Sequence, residues 1–177
     1  MRIIAGKFKG RKIKYNNLKN VRPTTDRTKE ALFNILNQHF DLNQISALDL
    51  FSGSGNISYE LVSRGVTKIT SVEKNIHCVK FINSFSKTLD VEINIVNSSA
   101  LKFLKITKSK FNLIIADPPY SHTEEEIDGL IDLIFTKKIL TRNGLLVIEH
   151  HKNNPPKKNK FLFDVRTYGS NSLSFFK

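Results

Sequence analysis

The chain has 177 residues, 40% of them hydrophobic, which is enough to bury one full core in a single globular unit. Its formal net charge of +12 and pI near 9.8 favour a polyanionic partner, through phosphate neutralisation and counterion release. No apolar stretch is long enough to span a membrane, no signal-peptide core follows Met1, and the single Cys78 excludes an internal disulfide framework, so a cytoplasmic protein is expected.

Residues 1–24 read as a basic N-terminal extension and 25–177 as the main body of what is overall one domain. Arg2-Ile3-Ile4 and Arg11-Lys12-Ile13-Lys14-Tyr15 predict a β-hairpin around Gly6 to Gly10. Residues 1–30 carry Arg2, Lys7, Lys9, Arg11, Lys12, Lys14, Lys19, Arg22, Arg27 and Lys29 against only Asp26 and Glu30. Broken by Phe8 and Tyr15, this pattern reads as an arm that grips RNA, with Arg2, Lys7, Lys9, Arg11, Lys12, Arg22 and Arg27 as candidate contacts. A helix follows over 26–38, its apolar face on Leu32, Ile35 and Leu36, capped by Thr25 or Asp26 after Pro23.

From there strand and helix alternate. Strands are expected near 46–51, 68–72, 92–97, 112–117 and 144–149, and helices near 56–64, 75–87, 100–105 and 124–136. Such alternation demands a parallel sheet with helices on both faces. Two late runs without a helix between them, 161–166 and 172–176, read as a closing antiparallel hairpin. The loop holding Lys152, Lys157, Lys158 and Lys160 reads as a solvated connection. The five histidines show no metal-ligand spacing, so no metal is expected.

Two motifs carry chemistry. Ser46–Phe51 is an apolar strand followed by Ser52-Gly53-Ser54-Gly55-Asn56 and a helical run. Gly53 and Gly55 permit a sharp turn and close approach of a ligand to the backbone. Asp49, at the strand end, suits a ligand bearing an amino group, whereas a dinucleotide site wants bare amides there. Glu73 ends the next strand about 20 residues after the turn, where an acid can accept hydrogen bonds from ribose hydroxyls.

The second motif is Asp117-Pro118-Pro119-Tyr120, after the apolar run 111–116. Two prolines cannot continue a ladder, so the strand ends there, at the edge where open α/β sheets place their chemistry. An acid, a carbonyl free of the sheet and an aromatic face are what is needed to hold a planar base by its exocyclic amine. The motif points to methyl transfer onto a nucleobase amino group, with Asp117, Pro118, Pro119 and Tyr120 as catalytic candidates.

With these segments the chain resembles the RsmD-like methyltransferases, which methylate the exocyclic N2 of a guanine in small-subunit (16S) ribosomal RNA. The resemblance runs through Arg2–Arg11, Arg22-Pro23-Thr24-Thr25-Asp26-Arg27, Asp49–Gly55, Val72-Glu73-Lys74-Asn75, Asp117–Tyr120 and Tyr168-Gly169 with Leu173-Ser174-Phe175. It implies a Rossmann-like class I methyltransferase fold, with a mostly parallel sheet, a C-terminal antiparallel hairpin and an N-terminal β-hairpin extension. It implies S-adenosyl-L-methionine as cofactor, held by Thr25, Asp49, Phe51, Gly53, Gly55, Glu73, Lys74, Ser99, Ala100 and Asp117. The implied partner is ribosomal RNA or the small ribosomal subunit, met by a monomer. One position departs from the family: Ser99 stands where an acidic residue usually faces the adenine amine. Three other readings share parts of this pattern. They are a DNA adenine-N6 methyltransferase, a nicotinamide-dependent oxidoreductase, and a non-catalytic RNA-binding module that kept the fold.

Overall fold

The computed structural model describes residues 1–15, 26–119, 121–157 and 159–177, so the expectations for Arg22, Thr25 and Tyr120 lie outside the described residues. In chain order the elements are α1 (Asp26–His39), β1 (Ser46–Leu50), α2 (Asn56–Ser63), β2 (Lys68–Glu73), α3 (Ile76–Thr88), β3 (Asn94–Asn97) and α4 (Ala100–Ile106). Then come β4 (Phe111–Ala116), α5 (Glu124–Thr136), β5 (Leu140–His151), β6 (Leu162–Tyr168) and β7 (Asn171–Phe176). Helix starts follow local chemistry: Asn75 and Ser99 cap α3 and α4, and Thr123 with Glu126 forms a capping box on α5.

The seven strands form one sheet in the order β3-β2-β1-β4-β5-β7-β6. β1 pairs in parallel with both β2 and β4, so the chain reverses its direction of winding between them. β7 is antiparallel to β5 and β6, which gives the closing hairpin that the sequence predicts. Alternation along the strands divides the core into two layers. Leu48, Leu50, Ile114, Ala116, Leu146 and Ile148 pack against α4 and α5. Ala47, Leu113, Ile115, Leu145, Val147 and Leu173 pack against Leu32, Phe33 and Leu36 of α1 and Ile57 and Leu61 of α2. Among the described residues no helix is long and apolar enough to cross a membrane.

One expectation is corrected. β5 starts at Leu140 rather than 144, because Leu140 pairs with Phe111 ahead of a register shift to Leu113–Leu145. The N-terminal hairpin forms as a short antiparallel pairing about the Arg2–Lys12 bridge, with the Ile3 amide donating to the Arg11 carbonyl and the Ile13 amide to the Met1 carbonyl, each at 3.0 Å. Next to it, the amides of Ile4 and Ala5 donate to the Glu60 carboxylate, at 2.7 and 3.0 Å.

That carboxylate is wholly buried on α2. It also receives Lys29 Nζ from α1 at 3.2 Å and Arg64 Nε at 2.8 Å. Lys29 Nζ donates further to the Arg2 carbonyl and to Asn56 Oδ1. Burial pushes the Lys29 ammonium below its ordinary value, while the Glu60 carboxylate opposes the shift. At the far end of α2, Ser63 Oγ donates to the Ala5 carbonyl and accepts from the Phe8 amide. Gly6 sits so close that a Cβ there would lie 1.8 Å from the Ser63 carbonyl oxygen, and its φ is +80°. Residues 1–15 are therefore docked on the body, with Ile3 and Ile13 buried among Tyr59, Ile82 and Leu89.

Removing Glu60 strands a buried ammonium and two backbone amides. Glu60→Ala is expected to cost about 3–5 kcal/mol of stability, the range for breaking a buried ion pair. Urea denaturation measures it. The double variant Glu60→Leu with Lys29→Met, which leaves no unpaired charge, is expected to be closer to the parent than Glu60→Ala.

Candidate active site

The C-terminal ends of β1, β2, β4 and β5 open onto a cavity of about 660 Å³, beside the reversal between β1 and β4. This is the crevice that open α/β sheets offer a ligand. One side is formed by Phe51, Gly53, Glu73, Lys74, Asn75, Ser99, Ala100 and Leu101. The other is formed by Asp117, Pro118, Pro119, Ser121, His122, Leu130, Glu149 and Asn171. Of the residues singled out in the sequence, Phe51, Gly53, Glu73, Lys74, Ser99, Ala100, Asp117, Pro118 and Pro119 are thus brought together around one cavity.

Glu73 is the brace of the first side. Its Oε2 accepts from the Gly53 amide at 2.9 Å and its Oε1 from the Asn75 amide at 2.7 Å. The carboxylate so fixes the glycine turn and the turn after β2, and each oxygen keeps a lone pair for a ligand hydroxyl. Phe51 enters the turn at φ 62°, a conformation that costs a bulky residue on the order of 1–3 kcal/mol. Its ring meets His122 edge-on with centroids 5.2 Å apart, so the strained residue bridges the two sides.

Asp49 and Gly55 do not line the cavity. Asp49 is 3% exposed, and its Oδ2 accepts from the Ser58 amide at 3.2 Å and the Ser58 hydroxyl at 2.6 Å. Ser58 Oγ in turn lies 2.5 Å from Ser71 Oγ of β2. The acid pins the first turn of α2 to the sheet from beneath the glycine turn. Burial pushes its carboxyl up to about 7, against the Ser58 hydrogen bonds, with the Glu73 charge adding to the rise. Gly55 has φ 82°, and a Cβ there would lie 2.9 Å from the Tyr59 ring. Its lack of a side chain serves the turn and the packing of Tyr59.

Ser99 lines the cavity but is also the cap of α4, its hydroxyl accepting from the Lys102 amide at 3.3 Å. On the second side, Asp117 is half-buried and Pro118 buried. The Pro119 carbonyl is taken by the His122 amide at 2.9 Å. The sequence reading missed three residues of this side. His122 Nδ1 is buried with no hydrogen-bond partner among the described residues. Glu149 and Asn171 are buried and joined, Asn171 Nδ2 donating to Glu149 Oε1 at 2.6 Å. Glu149 directly follows the apolar run Leu145–Ile148, and that signal was available in the sequence. Nothing local marks His122 or Asn171.

Lys7, Lys9, Arg11, Lys12 and Arg27 are exposed. Arg2 is exposed too, and its Nε pairs with Asp26 at 2.8 Å.

The family described as Conserved hypothetical protein 95 matches residues 1–177. The chain is 34% identical over 160 residues to the ribosomal RNA small subunit methyltransferase D of Haemophilus influenzae, covering 88% of this chain and 81% of that one. A hypothetical protein of Thermus thermophilus superposes with a TM-score of 0.86 at 26% identity, over 100% of this chain and 99% of that one. The 16S rRNA N2 methyltransferase RsmC of Thermus thermophilus, solved with AdoMet and guanosine, shares the fold. Its TM-score is 0.69 at 16% identity, over 89% of this chain and 44% of that one.

Asp49 gives a pH signature. Its proton is held more tightly in the folded protein than at the ordinary unfolded value of about 4. The folded state is therefore penalised progressively as pH rises from about 4 through 7, and fully above that. Asp49→Asn lacks this group. Its melting temperature relative to the parent is expected to climb across that window and level off near pH 8, as a pH series of melting curves would show.

Proposed function

The chain belongs to the Conserved hypothetical protein 95 family, and from that premise we propose that it transfers a methyl group from S-adenosylmethionine to the exocyclic N2 amine of a guanine in small-subunit ribosomal RNA. The observation that carries this reading is the joint lining of one cavity by Glu73 with Gly53 and by Asp117 with Pro118. A ribose-clamping acid and an amine-holding acid face the same space.

The first side fits the cofactor. Both Glu73 oxygens are already oriented by backbone amides, so the carboxylate is set for two ribose hydroxyls before the ligand arrives. When bound, S-adenosylmethionine supplies an electrophilic methyl on a sulfonium centre. An acid-lined cleft suits that cation. Ala100 and Leu101 give an apolar surface for the adenine ring, with the Ser99 hydroxyl beside it.

On the second side, Asp117 and the Pro118 carbonyl accept the two N–H hydrogens of the guanine amine. Its lone pair is otherwise delocalised into the ring, and holding both hydrogens favours a pyramidal nitrogen. The Asp117 charge stabilises the positive charge that grows on nitrogen as the methyl moves. Tyr120 supplies the stacking face. The base has to leave its stack to bring its amine to Asp117 inside the cavity.

The exposed cations of residues 1–15, with Arg27, are the proposed RNA contacts. The segment is anchored by its backbone amides and by Ile3 and Ile13, leaving the basic side chains outward. The surface therefore meets a polyanion while the cleft stays acidic.

Tritium transfer from labelled S-adenosylmethionine to small ribosomal subunits, followed by nucleoside analysis, tests the assignment. The product expected is N2-methylguanosine. Asp117→Ala is expected to lower turnover about 10²-fold or more with unchanged affinity for S-adenosylhomocysteine. Normal turnover would rule out the amine-holding role.

Neutralising Lys7, Lys9, Arg11 and Lys12 together is expected to weaken RNA binding and flatten its salt dependence, by up to about 0.7 log unit per log unit of salt for each contact to single-stranded RNA. The melting temperature should stay near the parent's. An unchanged salt slope in a folded variant would remove the segment from the interface.

A further inference from the structure

We propose that Glu149, held in place by Asn171, reads the Watson–Crick edge of the target base and selects guanine over adenine. The inference rests on the methyl-transfer reading above and assigns a part of the site which that reading leaves without a task.

The geometry comes from the sheet. The parallel register of β4 and β5 pairs Ala116 with Ile148. The next residues, Asp117 and Glu149, therefore stand side by side on neighbouring strands, about 4.8 Å apart along the hydrogen-bonding direction. Both line the cavity. Both follow the alternation of Leu113 and Ile115 on one strand and Leu145 and Val147 on the other, so they share a face. Asn171, at the start of antiparallel β7, reaches across from the opposite chain direction to donate to Glu149 Oε1 at 2.6 Å.

The chemistry makes a carboxylate informative here. Glu149 is 6% exposed and Asn171 4%. A carboxylate held at this depth at the cavity wall presents a fixed acceptor to whatever enters. An ionised carboxylate only accepts hydrogen bonds. Guanine presents two adjacent donors on one edge, N1–H and the N2 amine. Two adjacent carboxylates match that pair, Asp117 at the amine and Glu149 at N1–H. Adenine presents a lone pair at N1, which would face the Glu149 charge without a hydrogen. A site that presents a carboxylate to a hydrogen-bond donor rejects a base with a lone pair at the same position, since the two electron-rich atoms repel. Asn171 occupies one oxygen and sets the carboxylate's orientation before the base enters.

The test is competition against tritium transfer to small ribosomal subunits, with guanosine and 2-aminopurine riboside as competitors. The second keeps the 2-amino group but has a bare N1. The parent should bind guanosine at least about tenfold better. Glu149→Gln can still accept from Asn171, which turns its amide N–H toward the base. Its preference should fall to parity or reverse, with the melting temperature and S-adenosylhomocysteine affinity of the parent. Asn171→Ser should erode the preference in the same direction, and it decides the matter if Glu149→Gln does not fold. Full guanosine preference in the folded variant, or no preference in the parent, overturns the proposal. Failure of the underlying reading shows separately, as absence of N2-methylguanosine from the parent's own product.

Discussion

The Glu60 carboxylate is the contact on which the front of the molecule depends. It is sealed between two cations, Lys29 and Arg64, and two backbone amides, Ile4 and Ala5. The donors come from α1, the residue that ends α2 and the N-terminal segment, so one side chain on α2 fixes the relation of all three. A buried carboxylate with fewer partners would be a liability of several kcal/mol. With all of them it permits one arrangement only, since each donor left over would be stranded.

The consequence reaches the cavity through α2. Asn56 at the first turn holds Lys29, Ser58 holds Asp49, Glu60 holds the N-terminal backbone and Ser63 holds Ala5 and Phe8. The helix that rises from the glycine turn is thus pinned along its length by polar bonds to α1, β1 and the N-terminal segment. The turn itself is braced from the other side by Glu73. This rigidity supports the strained Phe51 backbone, which would relax if either flank were loose.

β1, β2, β4 and β5 each carry an acid at or near the C-terminal end, and burial decides what each acid does. Asp49 is deepest, carries a raised carboxyl pKa and holds structure. Glu73 divides its oxygens between backbone braces and the cavity. Asp117 is half-buried at the cavity wall, with Glu149 next to it in register. The result is an acidic cleft inside a chain of net charge +12, suited to a cationic small ligand within and a polyanion without.

By itself the sequence determined the sheet, the order of its elements and the two strand-end motifs. Hydrophobic runs, glycine and proline positions and caps act within a few residues, and strand direction follows from the alternation. It was also sufficient to place Glu73, Gly53, Asp117 and Pro118 at one edge, because parallel strands put their C-terminal ends together. Only tertiary structure decided the fate of the polar residues. Asn56, Ser58, Glu60 and Ser63 are all buried: Glu60 and Ser63 beneath residues 1–15, Asn56 against Lys29 of α1, and Ser58 against Asp49 and Ser71 of the sheet. The same cover brings the Ile4 and Ala5 amides onto Glu60. Asp49 and Gly55 lie under the turn rather than in the cavity, since the path of α2 sets which side of a turn faces a ligand. Asn171 meets Glu149 only because β7 inserts antiparallel beside β5, a long-range pairing that no local pattern encodes.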